Sequence, residues 1–310
     1  MRKVIGIGET VLDIIFRENK PVNAVPGGST FNALVSLGRA GIPVTFISDV
    51  GDDKVGRFIV NFLKDNGVDA GHITLRPEHK SPVSLAFLDK NCNAEYSFYH
   101  DNDPEVPEFT YPNINAGDIV LFGSFFAVNP RLRPQVEAFL QLAKEKGAIL
   151  YYDVNFRPSH RNDLLKATPN MIDNLELADI VRGSDEDFGV IYGQRDADKV
   201  YKSEISFYCK NFICTQGERP AIIHSAGGLR KEYPVPSQAV VSTIGAGDNF
   251  NAGFIYGMIK NNVFGDSIAD GMDENTWNSL VGYGQLFSGD CCKDIYNYIS
   301  ADFGESIRNK

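Results

Sequence analysis

The sequence predicts an α/β protein with a mostly parallel central sheet flanked by helices and a small antiparallel β-sheet set apart from it. Strand-like and helix-like segments alternate along most of the 310 residues, which is typical of a parallel sheet covered by helices. Two stretches break this alternation, because their strand-like segments have no helix between them. The hydrophobic content of 43% with 23% charged residues is that of an ordinary globular protein.

The elements of the central sheet follow from hydrophobic runs, and several helices end at a glycine such as Gly41, Gly67 or Gly147. The predicted strands are 4–7, 44–48, 118–122, 148–153, 180–181 and 212–215, and the predicted helices are 29–39, 54–66, 131–146, 185–192 and 197–210. A hairpin pairs 221–225 with 229–233, and helices from Gly247 onward complete the fold.

The two breaks in the alternation lie at about 10–26 and 82–105. Residues 10–16, and the pair 82–89 and 94–99 joined by an Asn91-Cys92-Asn93 turn, predict the strands of the small sheet. The chain contains no linker rich in Pro, Gly and Ser and no internal repeat. We therefore expect one domain over residues 1–310, with the small sheet as a lid over the substrate.

Composition excludes several classes of partner. The 30 basic and 40 acidic side chains give a net charge of −10, which argues against nucleic acid and against an anionic membrane surface. The five cysteines form no CxxC pair, so neither a disulfide framework nor a zinc site is expected. No run approaches the ~18 apolar residues of a membrane helix, and the first residues lack a signal-peptide core. These observations predict a cytoplasmic protein with a small-molecule substrate.

A glycine-rich turn at 242–253 leads directly into a helical pattern and carries the most specific chemistry. Gly245, Ala246 and Gly247 have little or no side chain, so a phosphate can approach the backbone and the free N–H groups of the first helical turn. Asp248 would face both the anion and the incoming nucleophile, where a carboxylate is better suited to deprotonating a hydroxyl than to binding phosphate. The pattern predicts an anion hole and a general base of a kinase that acts on an alcohol. Taken alone, it could also be a loop with Asp248 at a helix start.

A second ligand-facing motif lies near the N-terminus. Gly27 and Gly28 come immediately before a predicted helix, and Asn32 lies one turn into it. The glycines allow close approach of a ligand to the backbone, and the Asn32 amide can donate to and accept from a sugar hydroxyl. Asp13, in the first strand of the predicted lid, offers a carboxylate that accepts from neighbouring hydroxyls.

Together these motifs resemble the ribokinase-like sugar kinases, the PfkB carbohydrate kinase family. The resemblance spans nearly the whole chain. It rests on Gly6-Ile-Gly8-Glu9 with Asp13, Gly27-Gly28 with Asn32, Phe46-Ile-Ser-Asp-Val-Gly-Asp-Asp53 with Gly56, Asp153-Val-Asn155-Phe-Arg157, Thr215-Gln-Gly217 and Thr243-Ile-Gly245-Ala-Gly247-Asp248. Two separated signatures in this order are much more specific than either alone.

The resemblance implies a role for each matching position. Asp248 matches the catalytic base, and Gly245, Ala246 and Gly247 match the anion hole. The implied sugar contacts are Asp13, Gly28, Asn32, Tyr99, His100 and Arg157, and the implied ATP contacts are Ser184, Thr215, Gly217 and Asn278. ATP and Mg²⁺ are the implied cofactors, with Asp187 acting on the metal through water. The family also contains dimers formed through the lid, so a homodimer of that kind is a possible arrangement.

This chain departs from the family pattern at two places. Ser242 replaces the aspartate that helps to hold a monovalent cation, so the resemblance does not carry potassium activation over. Ser184-Asp-Glu-Asp187 replaces the Asn-x-x-Glu associated with phosphate and magnesium water. At that position a solvated helix start, with Ser184 as N-cap and acids in the first turn, is an equally good interpretation.

The substrate stays open among a few sugars. The Gly-Glu-x-x-x-Asp element, the double glycine with Asn32 and Asp-x-Asn-x-Arg are most similar to a fructokinase, which makes fructose 6-phosphate. A 2-keto-3-deoxygluconate kinase or a ribokinase is the near alternative. Arg157 could contact a substrate carboxylate or simply pair with the acids nearby. A different class is a sugar-binding protein that has lost turnover, although retention of Asp248 argues against it.

Overall fold

The computed structural model of the chain describes residues 2–88, 94–99, 101 and 105–309. Its strands are β1 (Val4–Ile7), β2 (Val11–Arg17), β3 (Lys20–Gly27), β4 (Val44–Gly51), β5 (Val68–Arg76), β6 (Val83–Leu88), β7 (Ala94–Tyr99), β8 (Ile119–Gly123), β9 (Ile149–Asp153), β10 (Ile180–Ser184), β11 (Phe212–Gln216), β12 (Arg219–His224) and β13 (Arg230–Tyr233). Its α-helices are α1 (Ser29–Arg39), α2 (Lys54–Asp65), α3 (Ser124–Val128), α4 (Arg133–Glu145), α5 (Leu164–Leu177), α6 (Asp185–Tyr192), α7 (Ala197–Val200), α8 (Ala246–Lys260), α9 (Gly265–Asp270), α10 (Glu274–Cys291) and α11 (Ala301–Arg308). None of these described helices has the length and apolar composition that a membrane span requires.

The main sheet has nine strands in the order β13-β12-β11-β10-β9-β8-β1-β4-β5. Every pair from β11 to β5 is parallel, and only β12 and β13 at one edge are antiparallel. Strands β8 and β9 are buried at all five positions, as expected for a parallel sheet covered on both faces. Two hydrophobic clusters form those faces, one around Phe31, Phe254 and Trp277 and the other around Phe139 and Phe188. The predicted parallel sheet flanked by helices is confirmed.

The small sheet has four strands in the order β3-β2-β6-β7. Its two hairpins, β2 with β3 and β6 with β7, are antiparallel, while β2 and β6 join them as a parallel pair. The sheet is therefore built from both predicted excursions of the chain. The predicted turn at 91–93 lies outside the described residues.

Several elements differ from the sequence-based prediction. Strand β3 was not predicted because it contains Pro21 and Pro26, and proline is tolerated only on an edge strand such as this one. Helix α5 was missed because Pro169 lies inside it. Strand β5 was also missed, and the predicted helix 131–146 is shortened at both ends. The predicted helix 197–210 continues beyond Val200 as π-helix and ends at Ile205, and the N–H of Ser206 donates to the Tyr201 carbonyl at 2.8 Å.

Candidate active site

The carboxyl ends of the parallel strands bring several predicted site residues to one edge of the main sheet. Asp153 ends β9 and pairs in register with Arg182 of β10, and Ser184 at the end of β10 pairs with Thr215 of β11. In open α/β sheets ligands bind outside this edge. The topology therefore brings Ser184 and Thr215, two of the predicted nucleotide contacts, together at this edge.

The predicted anion hole is the first turn of α8. Gly245 is the N-cap residue with φ of 76°, and a Cβ there would lie 2.7 Å from the Asn297 carbonyl oxygen, so both conformation and space require glycine. The Ala246 N–H donates to the Thr243 carbonyl at 3.2 Å, whereas the N–H groups of Gly247 and Asp248 have no acceptor within the described part of the chain. Two donors at a helix N-terminus thus remain for an anion.

Two side chains fix the geometry of this loop. Asn249 donates through Nδ2 to the carbonyls of Gly245 and Asn297, each at 2.8 Å, and its Oδ1 accepts from the Ser36 hydroxyl. The Ser242 hydroxyl, in the loop just before α8, accepts from the Ile244 N–H at 3.2 Å. The loop is therefore held by uncharged side chains.

Asp248 lies in the first turn of α8 with only 5% of its surface exposed. Its Oδ2 accepts from the Asn32 Nδ2 at 2.8 Å. Burial raises the pKa of the Asp248 carboxyl, while the Asn32 hydrogen bond and the charge of Arg157 oppose this effect. A buried carboxylate with a raised pKa is suited to accepting a proton, and the role of Asp248 as base stays a prediction.

Asn32 and Gly28 form the start of α1. Gly28 is the N-cap residue with φ of 129°, and a Cβ there would lie 2.4 Å from the Glu9 carbonyl oxygen. While its Nδ2 donates to Asp248, the Asn32 Oδ1 is buried and has no hydrogen-bond partner within the described residues. A buried acceptor without a donor is costly, so this atom is a natural site for a ligand hydroxyl.

Asp13 comes from the small sheet, on β2, and is 8% exposed. Its Oδ1 accepts a short hydrogen bond from the Ser84 hydroxyl of β6. A Cβ on Gly27 would lie 2.9 Å from the Asp13 Oδ2 and 3.1 Å from the Asn297 Nδ2, so glycine makes room for this cluster. Burial raises the pKa of Asp13 to about 6, and hydrogen bonds from Ser84 and Asn297 oppose that rise.

Arg157 is exposed and lies near two carboxylates, the buried Asp248 and the solvent-exposed residue Glu9. Its charge lowers the pKa of both Glu9 and Asp248, although desolvation by the surrounding protein raises the pKa of each to a greater extent. Glu9 also accepts from the Ser124 hydroxyl at 3.3 Å. Tyr99, at the end of β7, is 59% exposed, and the predicted sugar contact His100 lies outside the described residues.

The predicted nucleotide contacts are only partly brought together. Thr215 Oγ1 accepts from the Arg182 Nη2 at 2.7 Å and retains its own proton for donation. Gly217 has φ of 62°, and a Cβ there would meet nothing within 4 Å, so its loop borders open space. Asn278 accepts from Lys231 and from the Tyr233 hydroxyl, and within the described residues its hydrogen bonds connect it to β13 and not to the anion hole.

Ser184 and Asp187 form a capping box at the start of α6. The Ser184 hydroxyl accepts from the Asp187 N–H, and the Asp187 carboxylate accepts from the Ser184 N–H at 2.7 Å. The helix-start interpretation is thus correct in its hydrogen bonds but wrong about solvent, because Asp187 is only 5% exposed. Its carboxyl pKa is raised, chiefly by burial.

Sequence reasoning assigned no site role to four residues, namely Glu9, Asp153, Arg182 and Asn297, although Glu9 and Asp153 lie in motifs that carry the family resemblance. Asp153 accepts from the Arg182 Nη1 at 2.9 Å and from the Asn251 Nδ2 at 2.8 Å. A positional signal was available, because Asp153 is the charged last residue of the otherwise apolar β9 and Arg182 is a buried charged residue in the middle of β10. Asn297 carried no such signal.

Comparison with known proteins decides the family. A profile described as pfkB family carbohydrate kinase matches residues 1–272. The chain belongs to the pfkB family of carbohydrate kinases. It is 28% identical over 276 residues to a 5-dehydro-2-deoxygluconokinase of Geobacillus thermodenitrificans, an alignment that covers 83% of this chain and 81% of the relative. It is 28% identical over 282 residues to a fructokinase of Rhizobium leguminosarum bv. trifolii, covering 87% and 84%.

Solved structures give the same fold. The fructokinase of Vibrio cholerae O395 with fructose, ADP and calcium bound superposes with a TM-score of 0.83 at 21% identity, over 99% of each chain. The aminoimidazole riboside kinase of Salmonella enterica, bound to aminoimidazole riboside and an ATP analog, gives a TM-score of 0.81 at 22% identity, over 99% of this chain and 100% of that one. The ribokinase-like fold of this sugar kinase is confirmed.

Proposed function

We propose that this kinase transfers the γ-phosphoryl group of ATP to a hydroxyl of a neutral six-carbon keto sugar, with fructose as the substrate and fructose 6-phosphate as the product. The observation that carries the proposal is the pairing of Asn32 with Asp248 beside an unpartnered acceptor, the Asn32 Oδ1. Asp13 adds a further buried carboxylate. This array supports the proposal because it would offer acceptors to several hydroxyls and set one of them against the Asp248 carboxylate.

Each of these groups would have one role in the reaction. The sugar hydroxyl loses its proton to Asp248 as its oxygen forms a bond to the γ-phosphorus, and the bond from that phosphorus to the β,γ-bridging oxygen breaks to release ADP. The N–H groups of Gly247 and Asp248 would donate to the transferring group, whose charge is spread over its equatorial oxygens. Burial of Asp248 keeps bulk water away from the reacting hydroxyl.

Magnesium fits these residues as an ion delivered with the nucleotide. Within the described residues no group of three or more His, Cys, Asp or Glu side chains is positioned to hold a metal, and Mg²⁺ commonly uses one or two carboxylates together with phosphates and water. Asp187 is the candidate carboxylate, acting through water because its Oδ2 is engaged by Ser184. When bound, the ion would neutralise phosphate charge.

A keto sugar acid, as in 5-dehydro-2-deoxygluconate, is the second candidate, and a specific observation favours it. Arg157 is an exposed cation close enough to Glu9 and Asp248 to lower the pKa of each, so it could pair with a substrate carboxylate. The neutral sugar is preferred because Glu9, Asp13 and Asp248 would repel a second anion.

The test measures ADP release with magnesium-ATP over fructose, 5-dehydro-2-deoxygluconate, 2-keto-3-deoxygluconate and ribose. Asp248→Asn should reduce kcat on the best substrate by roughly 10²–10⁴-fold while sugar binding, measured by calorimetry, is retained. Unchanged turnover in this variant would remove Asp248 from the mechanism.

Arg157→Met separates the two substrates. It should leave the KM for fructose within about three-fold, whereas the KM for a sugar acid should rise by roughly 10²-fold, because a charge-assisted bidentate contact is lost. Turnover of a sugar acid but not of fructose would overturn the preference for the neutral sugar.

A further inference from the structure

Arg182 of β10 lies directly against the predicted anion hole. If Gly247 carried a Cβ, that atom would lie 2.7 Å from Nη2, 3.1 Å from Nη1 and 3.3 Å from Cζ of Arg182. The flat guanidinium therefore packs on the backbone of the first turn of α8, and glycine at 247 is the residue that allows it. This contact joins the middle of the main sheet to the turn that carries Asp248.

The hydrogen bonds of Arg182 leave part of its guanidinium unused. Nη1 donates to the Asp153 Oδ1 at 2.9 Å and Nη2 donates to the Thr215 Oγ1 at 2.7 Å. Nε is buried and has no acceptor within the described residues. Water does not supply one readily, because the whole side chain is only 6% exposed. An unpaired buried donor on a cation is expensive to maintain, so the site is built for a further acceptor.

The electrostatic setting also calls for an anion. The N-terminus of a helix carries a partial positive charge, and Arg182 places a full positive charge beside the N-terminus of α8. Asp153 is the paired carboxylate, but it also accepts from the Asn251 Nδ2 at 2.8 Å and the Ser29 hydroxyl at 3.4 Å. Burial lowers the pKa of Arg182, but Asp153, Tyr151 and Asp187 together raise the pKa by more, so the guanidinium stays charged.

We propose that Arg182 is a catalytic residue whose guanidinium contacts the phosphoryl group as it passes from ATP to the sugar hydroxyl. The proposal rests on the proposed roles of Asp248 and of the α8 N-terminus. As the bond to the β,γ-bridging oxygen breaks and the bond to the sugar oxygen forms, negative charge on the equatorial oxygens is stabilised by the buried cation. The proton still goes to Asp248, and ADP remains the leaving group.

Arg182 is equally the junction between the two halves of the site. Thr215 belongs to the predicted nucleotide contacts. Asp153 accepts a hydrogen bond from Ser29, and Ser29 follows Gly28, one of the predicted sugar contacts. A residue that served only to neutralise Asp153 would not need to contact Gly247 or Thr215. The geometry thus distinguishes a phosphoryl contact from a simple counterion.

The experiment compares Arg182→Met and Arg182→Lys with Arg133→Met as a matched control. Arg133 is another buried arginine, which pairs with Asp173 and donates to the Asn174 Oδ1 on α5. Arg182→Met should reduce kcat by roughly 10²–10³-fold, with a sugar dissociation constant changed less than about three-fold. Arg133→Met should lower the unfolding temperature but leave the kcat of the folded protein within about two-fold.

A second readout isolates the transition state. ADP with aluminium fluoride and the sugar mimics the transferring phosphoryl group, and its affinity should fall in Arg182→Met by about the same factor as kcat. Arg182→Lys keeps the charge but has a single donor group, so its kcat should lie between those of the wild type and Arg182→Met. If Arg182→Met does not fold, Arg182→Lys with an unchanged kcat and unchanged analogue affinity overturns the proposal.

The outcomes separate this inference from the proposed function. A folded Arg182→Met with a kcat within about three-fold of the wild type would make Arg182 a counterion of Asp153 only. An inactive wild type, or a fully active Asp248→Asn, would instead refute the proposed function.

Discussion

Asp13 should make sugar binding depend on pH. Only the ionised carboxylate accepts from two sugar hydroxyls without holding a proton of its own, and burial places its pKa at about 6. The ionised fraction is therefore about 0.9 at pH 7 and about 0.1 at pH 5. We expect the sugar dissociation constant to rise by up to about ten-fold as the pH falls from 7 to 5.

The assay is calorimetric titration of the sugar in the Asp248→Asn background, because that background removes the titration of the base. Sugar binding should release protons near pH 6, since the bound hydroxyls favour the ionised form of Asp13. Asp13→Asn in the same background should bind the sugar weakly and without this pH dependence. A dissociation constant that stays the same from pH 5 to pH 7 in the Asp248→Asn protein would refute the reasoning.

The same carboxylate should cost the sugar-free protein stability. Its pKa is raised from 3.8 in the unfolded reference to about 6, which corresponds to about 3 kcal/mol. Because the folded state holds this proton more tightly, stability is highest below the unfolded value and falls as the pH rises through about 6. Asp13→Asn should thus unfold at higher urea concentration than the wild type at pH 7.5, with the difference disappearing near pH 4.

Two further predictions concern α1 and α8. Gly28→Ala should lower the free energy of unfolding, measured by urea unfolding, by at least about 2 kcal/mol. The reason is that φ at this position is 129° and the new Cβ would lie 2.4 Å from the Glu9 carbonyl oxygen. The matched control, Gly282→Ala in α10, meets nothing within 4 Å and should be neutral or stabilising, so equal losses in both variants would contradict the argument. Asn32→Asp should move the acidic limb of the pH–kcat profile upward by about one pH unit or more. The reason is that a second carboxylate next to Asp248 disfavours the charged form of Asp248. An unmoved limb would show that Asn32 does not act on the base.

The parts of the site that could be predicted are those with a local signature. Gly245 and Gly28 are required by positive φ and by close backbone contacts, so the need for glycine is written into a few consecutive residues. Asp248 and Asn32 follow from these glycines at fixed helical spacing. Their mutual hydrogen bond could not be predicted, because it depends on how α1 and α8 pack against each other on one face of the sheet.

The remaining site residues depend on long-range register. Arg182 meets Asp153 because β9 and β10 are adjacent parallel strands, and nothing in either short segment states that adjacency. Asn297 reaches Asp13 from a loop far away in the chain. The role of Asn278 at the nucleotide stays a prediction of the family resemblance, and its Oδ1 accepts from Lys231 and Tyr233 of β13.

The long separation between Asp13 and Asn297 has a consequence for cooperativity. These residues share one hydrogen bond, and next to it the Tyr298 hydroxyl donates to the Pro26 carbonyl at 3.0 Å. The proposed sugar site is therefore complete only when the first strands and the segment after α10 are both in place. A ligand that binds only this assembled state stabilises it by mass action. Bound sugar would therefore make the N-terminal strands and the segment after α10 unfold together, as one cooperative unit.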